Sequence, residues 1–400
     1  MHRPALIKKQ LLLRSRLLSV LQDAPRLTHI RAPAGFGKST LLDQYEDMLR
    51  ERGDLFTRIN LVKSLPGNHI AETIGAGQTQ LSSDMLQSLL TADGQIATLI
   101  IDDADHVSAS SEMTALLATI IALPAKLRVV LASRRELDVP LARHEANGDL
   151  LRITPVDMLF DKDERNALLG DGMSDDGSET DTLLGWPLGF ALQARMGASA
   201  PRSGEFDITD AAPRQLSGNW RIIEDYFSEE ILPALDGETL EFLVKASILQ
   251  KVKVEECGEL FGIDGAGLLR RAYLLGVPLW PDDFEHQCYT ILPAFQQFLR
   301  ARLSACRAKE LGAKACDLLQ RSRDYSGASS MALELGEHER AAELIERQMK
   351  SDFGLRDETR LLTLAQRINP DVRNAYPRIL LAQTQALIFK FEFEQARRLL

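Results

Sequence analysis

The residues best suited to chemistry lie in one run, Arg31-Ala32-Pro33-Ala34-Gly35-Phe36-Gly37-Lys38-Ser39-Thr40. The run follows the spacing GxxxxGK[ST], with Ala32 at the first glycine position, between a strand-like apolar run and an amphipathic helical one. Glycines at 35 and 37 let backbone N–H groups turn inward around phosphates. Lys38 then supplies charge to the β and γ oxygens, which makes it a catalytic as well as a binding residue. Ser39 offers a hydroxyl to Mg²⁺, and the helix N-terminus favours anions. This chemistry is the gripping of ATP or ADP by Ala34, Gly35, Phe36, Gly37, Lys38, Ser39 and Thr40; the bland alternative is a glycine turn before a helix.

A second run, Ala97-Thr98-Leu99-Ile100-Ile101-Asp102-Asp103-Ala104-Asp105, reads as a buried strand ending in acids. Taken as lying beside the P-loop strand, it would let Asp102 hold the water shell of Mg²⁺. Asp103 could position or deprotonate an attacking water, and Asp105 is expected to cap the next segment. Apolar strands ending in Asp-Asp are common, so the neighbouring P-loop gives the run its meaning. A third strand, Leu127–Ala132, leads into Ser133-Arg134-Arg135. From there Arg134 could distinguish ATP from ADP by a charge-assisted bond that only a γ-phosphate accepts; a solvated arginine pair leaving a strand is the alternative. Gly185-Trp186-Pro187-Leu188-Gly189-Phe190 reads as a helix start with an anchoring tryptophan. The histidines lack ligand spacing, and no Ser/His/Asp or Cys/His arrangement stands out.

These residues need an α/β scaffold. Strand-like runs at Leu27–Arg31, Leu55–Leu61, Ala97–Ile101, Leu127–Ala132 and Leu150–Ile153 alternate with helical stretches, as in a parallel sheet with helices on both faces. Residues 63–83 read as loop. After Asp161 strand signals nearly vanish: Asp161–Leu169 and Leu183–Met196 read as helices, and 198–217 as a linker. Helices at Leu235–Gln250, Val254–Phe261 and Gly265–Leu275 precede a hairpin pattern over Val277–Ile291, which together make a winged-helix pattern. Past Ser304 the chain reads as helical, with an echo between Glu337–Ile345 (EHERAAELI) and Glu392–Leu400 (EFEQARRLL) that fits a helical solenoid. The expected domains are 1–157 (nucleotide binding), 158–200 (helical lid), 201–218 (linker), 219–303 (winged helix) and 304–400 (the start of a tetratricopeptide-like superhelix). Ending in mid-helix, the chain is expected to continue in the natural protein.

With 400 residues, 45% hydrophobic and 26% charged, the composition is that of a multidomain globular protein. A net charge of −10 argues against a nucleic-acid surface within it. The 4 cysteines lack zinc or disulfide spacing. No run approaches the ~20 apolar residues of a membrane span, and a cytoplasmic location without membrane contact is expected.

Taken together, the motifs resemble the STAND class of signalling NTPases, specifically the MalT-like, LuxR-type ATP-dependent transcriptional activators. The resemblance covers Leu13-Arg14-Ser15-Arg16-Leu17-Leu18, the P-loop, the LIIDD and VVLASR strands, Pro140–Arg143, Leu150–Ile153, Met158–Phe160, Gly185-Trp186-Pro187, Phe242–Leu249 and Phe295–Arg300. It implies that Arg14 and Arg16 lie near the adenine and that Pro187 packs on the nucleotide. Many relatives carry a histidine near the β-phosphate of ADP where this chain has Leu292.

The resemblance further implies a switch with ATP/ADP and Mg²⁺ as cofactors and slow hydrolysis as the reset. An ADP-closed monomer would be released by ATP and a small-molecule or protein inducer on the helical repeats. The ATP-bound form would self-associate, then reach promoter DNA and RNA polymerase through a C-terminal helix-turn-helix beyond this sequence. A STAND scaffold with a non-DNA-binding effector and an AAA-type ATPase are the alternatives.

Overall fold

The structure, a computed structural model, describes residues 12–60, 97–105, 121, 127–169, 183–197, 219–249, 251–283, 285–351, 358–389, 391 and 393–399. The expected loop at 63–83 and linker at 198–217 lie outside them. The chain divides into two compact units, one comprising Met1–Asp236, Leu269–Trp280 and Leu292–Phe295, the other Gly237–Leu268, Pro281–Ile291 and Gln296–Leu400.

The first unit opens with α1 (Ser15–Gln22), β1 (Leu27–Arg31), α2 (Lys38–Arg52), β2 (Phe56–Asn60), β3 (Ala97–Asp102) and β4 (Leu127–Ser133). It continues through α3 (Ala142–Ala146), β5 (Leu150–Ile153), α4 (Pro155–Met158), α5 (Lys162–Leu169), α6 (Pro187–Gly197) and α7 (Asn219–Glu230). The five strands form one sheet in the order β2-β3-β4-β1-β5, and every adjacent pair is parallel. β1 and β3 are buried at every residue, as expected where both faces of a parallel sheet are covered. Leu27, Leu99, Ile101, Val129 and Leu131 form the core there.

The lateral order corrects one expectation. The strand next to β1 is β4, and β3 lies one strand further out. Local apolar pattern identifies strands but carries no information on which pairs with which. The register aligns Arg31 with Ser133, and Asn60 with Asp102. The loops that follow β1, β3 and β4 therefore leave the same carboxyl edge, where open α/β sheets bind ligands.

Helix boundaries follow local chemistry. α2 buries Leu41, Leu42, Tyr45 and Leu49 and stops at Gly53, whose φ of +74° makes a left-handed cap. The helix expected from Leu183 begins only at Pro187, because Leu184 and Gly185 take φ of +46° and +77°. α5 starts in a reciprocal cap: Glu164 N–H donates to Asp161 Oδ1 at 2.8 Å, and Asp161 N–H donates to Glu164 Oε2 at 3.0 Å.

Elements of the second unit include α8 (Gly237–Ala246), β6 (Lys251–Lys253) and α9 (Val254–Phe261). The next helix, α10 (Gly265–Leu274), and strand β7 (Leu279–Pro281) lie partly or largely in the first unit. β8 (Cys288–Ile291) pairs antiparallel with β6. In the wing, Asp282 N–H donates to the Cys288 carbonyl at 2.8 Å. α11 (Pro293–Arg300) completes this part, and α12 (Ala305–Arg321), α13 (Tyr325–Glu334) and α14 (His338–Ser351) follow. The remaining helices are α15 (Glu358–Gln366), α16 (Pro370–Arg373), α17 (Pro377–Phe389) and α18 (Phe393–Leu399). Ser304 caps α12 and Asp324 caps α13 through their side chains. Small residues bury one face of α13, at Ala328, Ser329 and Ala332, and Gly312 of α12 leaves 3.0 Å between a would-be Cβ and Leu335. Close helix packing of this kind builds the helical C-terminal region. No helix of the described residues is long and apolar enough to cross a membrane.

Candidate functional site

The P-loop turns on two left-handed glycines, Gly35 at φ +78° and Gly37 at +82°. Gly37 is the N-cap of α2, which has no side-chain cap and no acid in its first turn. Its opening N–H groups are left for an anion. Lys38 is buried, and its Nζ donates to the carbonyls of Ala32 at 2.6 Å and Pro33 at 3.0 Å. Burial, and next the nearby Arg134, push the Lys38 ammonium down to about 8, against the opposing pull of Asp105, Asp103 and Asp102. A buried lysine held, among the described residues, by carbonyls at an uncapped helix start fits a polyphosphate.

The start of α6 closes over this loop. Leu188 N–H donates to the Gly35 carbonyl at 3.1 Å, and Pro187 Cβ lies 3.7 Å from where Gly37 would carry its own. Pro187 is thus brought to the P-loop. A Cβ on Gly35 would stand 3.0 Å from the Tyr226 hydroxyl and 3.1 Å from both Leu188 and Trp186. Trp186 is fully buried, stacks on Phe227 at 5.3 Å, and has an indole N–H without a hydrogen-bond partner among the described residues. Phe36 is buried edge-on to Trp280 at 6.4 Å. Arg31, at the end of β1, stacks on Tyr273 at 3.6 Å.

Asp102 is wholly buried; its Oδ2 accepts from Arg58 at 2.6 Å and its Oδ1 from the Asp103 N–H at 3.0 Å. Arg58 also binds Asp43 at 2.6 Å and Glu46 at 2.8 Å, both on α2. With both oxygens of Asp102 already accepting hydrogen bonds, Asp102 suits support of Mg²⁺ through water, and Ser39 would offer the hydroxyl ligand. Asp103 takes φ +54°. Burial and then Asp102 raise its carboxyl above the usual range, with Arg134 and Lys38 opposing.

Asp105 joins two strand ends. Its Oδ1 accepts from Arg134 N–H at 2.9 Å, so it ties the ends of β3 and β4 together; the segment it was expected to cap lies outside the described residues. The Arg134 guanidinium donates to Glu230 Oε2 at 2.8 Å. Ala34, Asp105, Arg134, Glu230 and Gly276 share the wall of a cavity of about 230 Å³.

Arg14 is buried, with Nε on Glu164 Oε1 at 2.8 Å and Nη2 on the Met158 carbonyl at 3.0 Å. Arg16 donates to the Asp157 carbonyl at 2.7 Å. Both arginines therefore fasten α1 to the α4–α5 segment. His29 is buried against Ser133 Oγ at 2.8 Å, and burial, then Arg152 and Arg31, push it down to about 3, so it stays neutral inside the sheet. Leu292 is fully buried and donates its N–H to the Pro278 carbonyl at 2.9 Å.

The MalT winged helix domain matches residues 228–311 of this chain. The MalT regulator of Vibrio parahaemolyticus is 25% identical over 320 residues, covering 72% of this chain and 35% of that protein. The chain is similar to the MalT regulators, with a P-loop ahead of the matched winged helix domain.

This MalT-like chain is also 28% identical over 398 residues to the serine/threonine-protein kinase PknK of Mycobacterium tuberculosis, covering 91% of the chain and 35% of the kinase. A solved STAND protein with a tetratricopeptide repeat sensor, from Pyrococcus horikoshii, is 16% identical, covers 98% of this chain and 58% of its own, and overlays at a TM-score of 0.35. The chain spans about a third of the length of its curated relatives. Sequence reasoning missed Arg58, Tyr226, Glu230, Tyr273 and Gly276 in the MalT-like site. The i, i+4 spacing of Tyr226 and Glu230 was the available signal for one of these pairs.

Proposed function

We propose that this chain is the ATP/ADP-dependent switch of a transcription regulator. The observation that carries the reading is the P-loop covered by its own chain: Leu188 bonded to Gly35, Pro187 against Gly37 and Tyr226 against Gly35. A loop so enclosed suits retention of nucleotide more than rapid exchange. Residues 34–40 and Lys38 would hold the phosphates, Ser39 with Asp102 through water would hold Mg²⁺, and Arg134 would recognise the γ-phosphate. Bound Mg²⁺ supplies charge neutralisation at the phosphates. Asp103 would take a proton from water, and its raised carboxyl suits that role. Residues 158–200 act as the lid in this reading.

The helical repeats would receive a small-molecule or protein inducer, and the ATP form would self-associate. Promoter DNA and RNA polymerase would be reached through a C-terminal helix-turn-helix outside this sequence. The match to a protein kinase favours a second reading, in which the same switch drives a non-DNA-binding effector. Steady-state ATP turnover tests the switch against an AAA-type motor. A turnover well below ~1 s⁻¹ at any protein concentration is expected, whereas fast turnover that rises with assembly overturns the reading.

A further inference from the structure

The geometry points to Glu230 as a built-in stand-in for the γ-phosphate: it holds Arg134 when no γ-phosphate is present and so sets the preference between ATP and ADP. The inference rests on Arg134 as the γ-phosphate reader.

The backbone of Arg134 is clamped on two sides. Its N–H is fixed by Asp105 Oδ1 at 2.9 Å. Its carbonyl lies 2.5 Å from where Gly276 would carry a Cβ, so only a glycine passes there. The side chain is therefore the part of Arg134 free to choose a partner, and the partner present is Glu230 at 2.8 Å. Both side chains are over a third exposed, at 37% and 39%, so the pair is weak enough to open and a released carboxylate can find water.

Glu230 is also tied to the P-loop. It follows Tyr226 by one helical turn of α7, so both lie on one face, and Tyr226 is the residue that crowds Gly35. The ion pair lines the same cavity as Ala34 of the P-loop. A γ-phosphate entering beside Ala34 meets a guanidinium already occupied by a carboxylate. It carries more charge and more acceptor oxygens than Glu230, so it wins the guanidinium and repels the carboxylate. ADP offers no such competitor and leaves the pair closed.

Calorimetric titration with a non-hydrolysable ATP analogue and with ADP, both with Mg²⁺, tests this in a double-mutant cycle. Glu230→Gln is expected to tighten the ATP analogue about two- to fivefold and leave ADP unchanged. Arg134→Ala should weaken the ATP analogue selectively, and in that background Glu230→Gln should have no effect. Selective weakening by Arg134→Ala without tightening by Glu230→Gln overturns the role of Glu230 and keeps that of Arg134. An unchanged ATP-to-ADP ratio in Arg134→Ala overturns the Arg134 reading, and this inference with it. Tightening that persists without Arg134, or that affects ADP equally, marks a general charge effect and overturns the stand-in.

Discussion

Tyr226 of α7 seals Gly35 of the P-loop so closely that a single methyl on the glycine would come within 3.0 Å of the tyrosine hydroxyl. Gly35 also takes φ +78°, a conformation that costs any side chain about 1–2 kcal/mol. Gly35→Ala is therefore expected to lose about 1–3 kcal/mol of stability in urea unfolding. A loss under about 0.5 kcal/mol would show that α7 does not close on the loop.

Lys38 gives the protein a pH signature. Its ammonium is pushed down to about 8 in the folded chain, from an ordinary value of 10.5. Below about 8 both folded and unfolded chains hold this proton, so it contributes no slope. Between about 8 and 10.5 the unfolded chain still holds a proton that the folded chain has shed, so stability rises with pH. Lys38→Met should remove that rise. An identical pH profile for the variant would contradict the burial of the charge.

Arg58 neutralises Asp102 at full burial. Removing one partner of such a pair strands the other, at about 3–5 kcal/mol. Arg58→Met should destabilise on that scale, and Arg58→Met with Asp102→Asn should recover most of the loss. Chemical unfolding of the single and double variants measures both. No recovery would mean that Arg58 acts through Asp43 and Glu46 instead.

Asp103→Asn is expected to leave ATP binding intact and to slow single-turnover hydrolysis about 100-fold or more. Asparagine tolerates the left-handed backbone observed at 103, so the loss would report chemistry and not refolding of the loop. Unaltered single-turnover kinetics would move the catalytic role to another residue.

The sequence made local features legible. The strands of the parallel sheet, the P-loop at the start of α2 and the wing after α10 follow from runs whose pattern is set by neighbours along the chain. What it hid is set by pairing across the fold. The position of β4 between β1 and β3, the tie from Asp105 to Arg134 and the closing of Arg58 on Asp102 join residues far apart in sequence. Arg14 and Arg16 show the same limit: composition marks them as cations, but only the fold shows them fastened to residues 157–164.

Nucleotide binding by the P-loop is the claim on which the proposed switch depends, and calorimetry of ADP and Mg-ATP against the intact chain and Lys38→Ala tests it most directly. The intact chain should bind both nucleotides, and Lys38→Ala neither, because the loop loses the one charge it buries behind Gly35 and Gly37. Unchanged ADP affinity in Lys38→Ala would contradict the assignment of residues 32–40 as the nucleotide site.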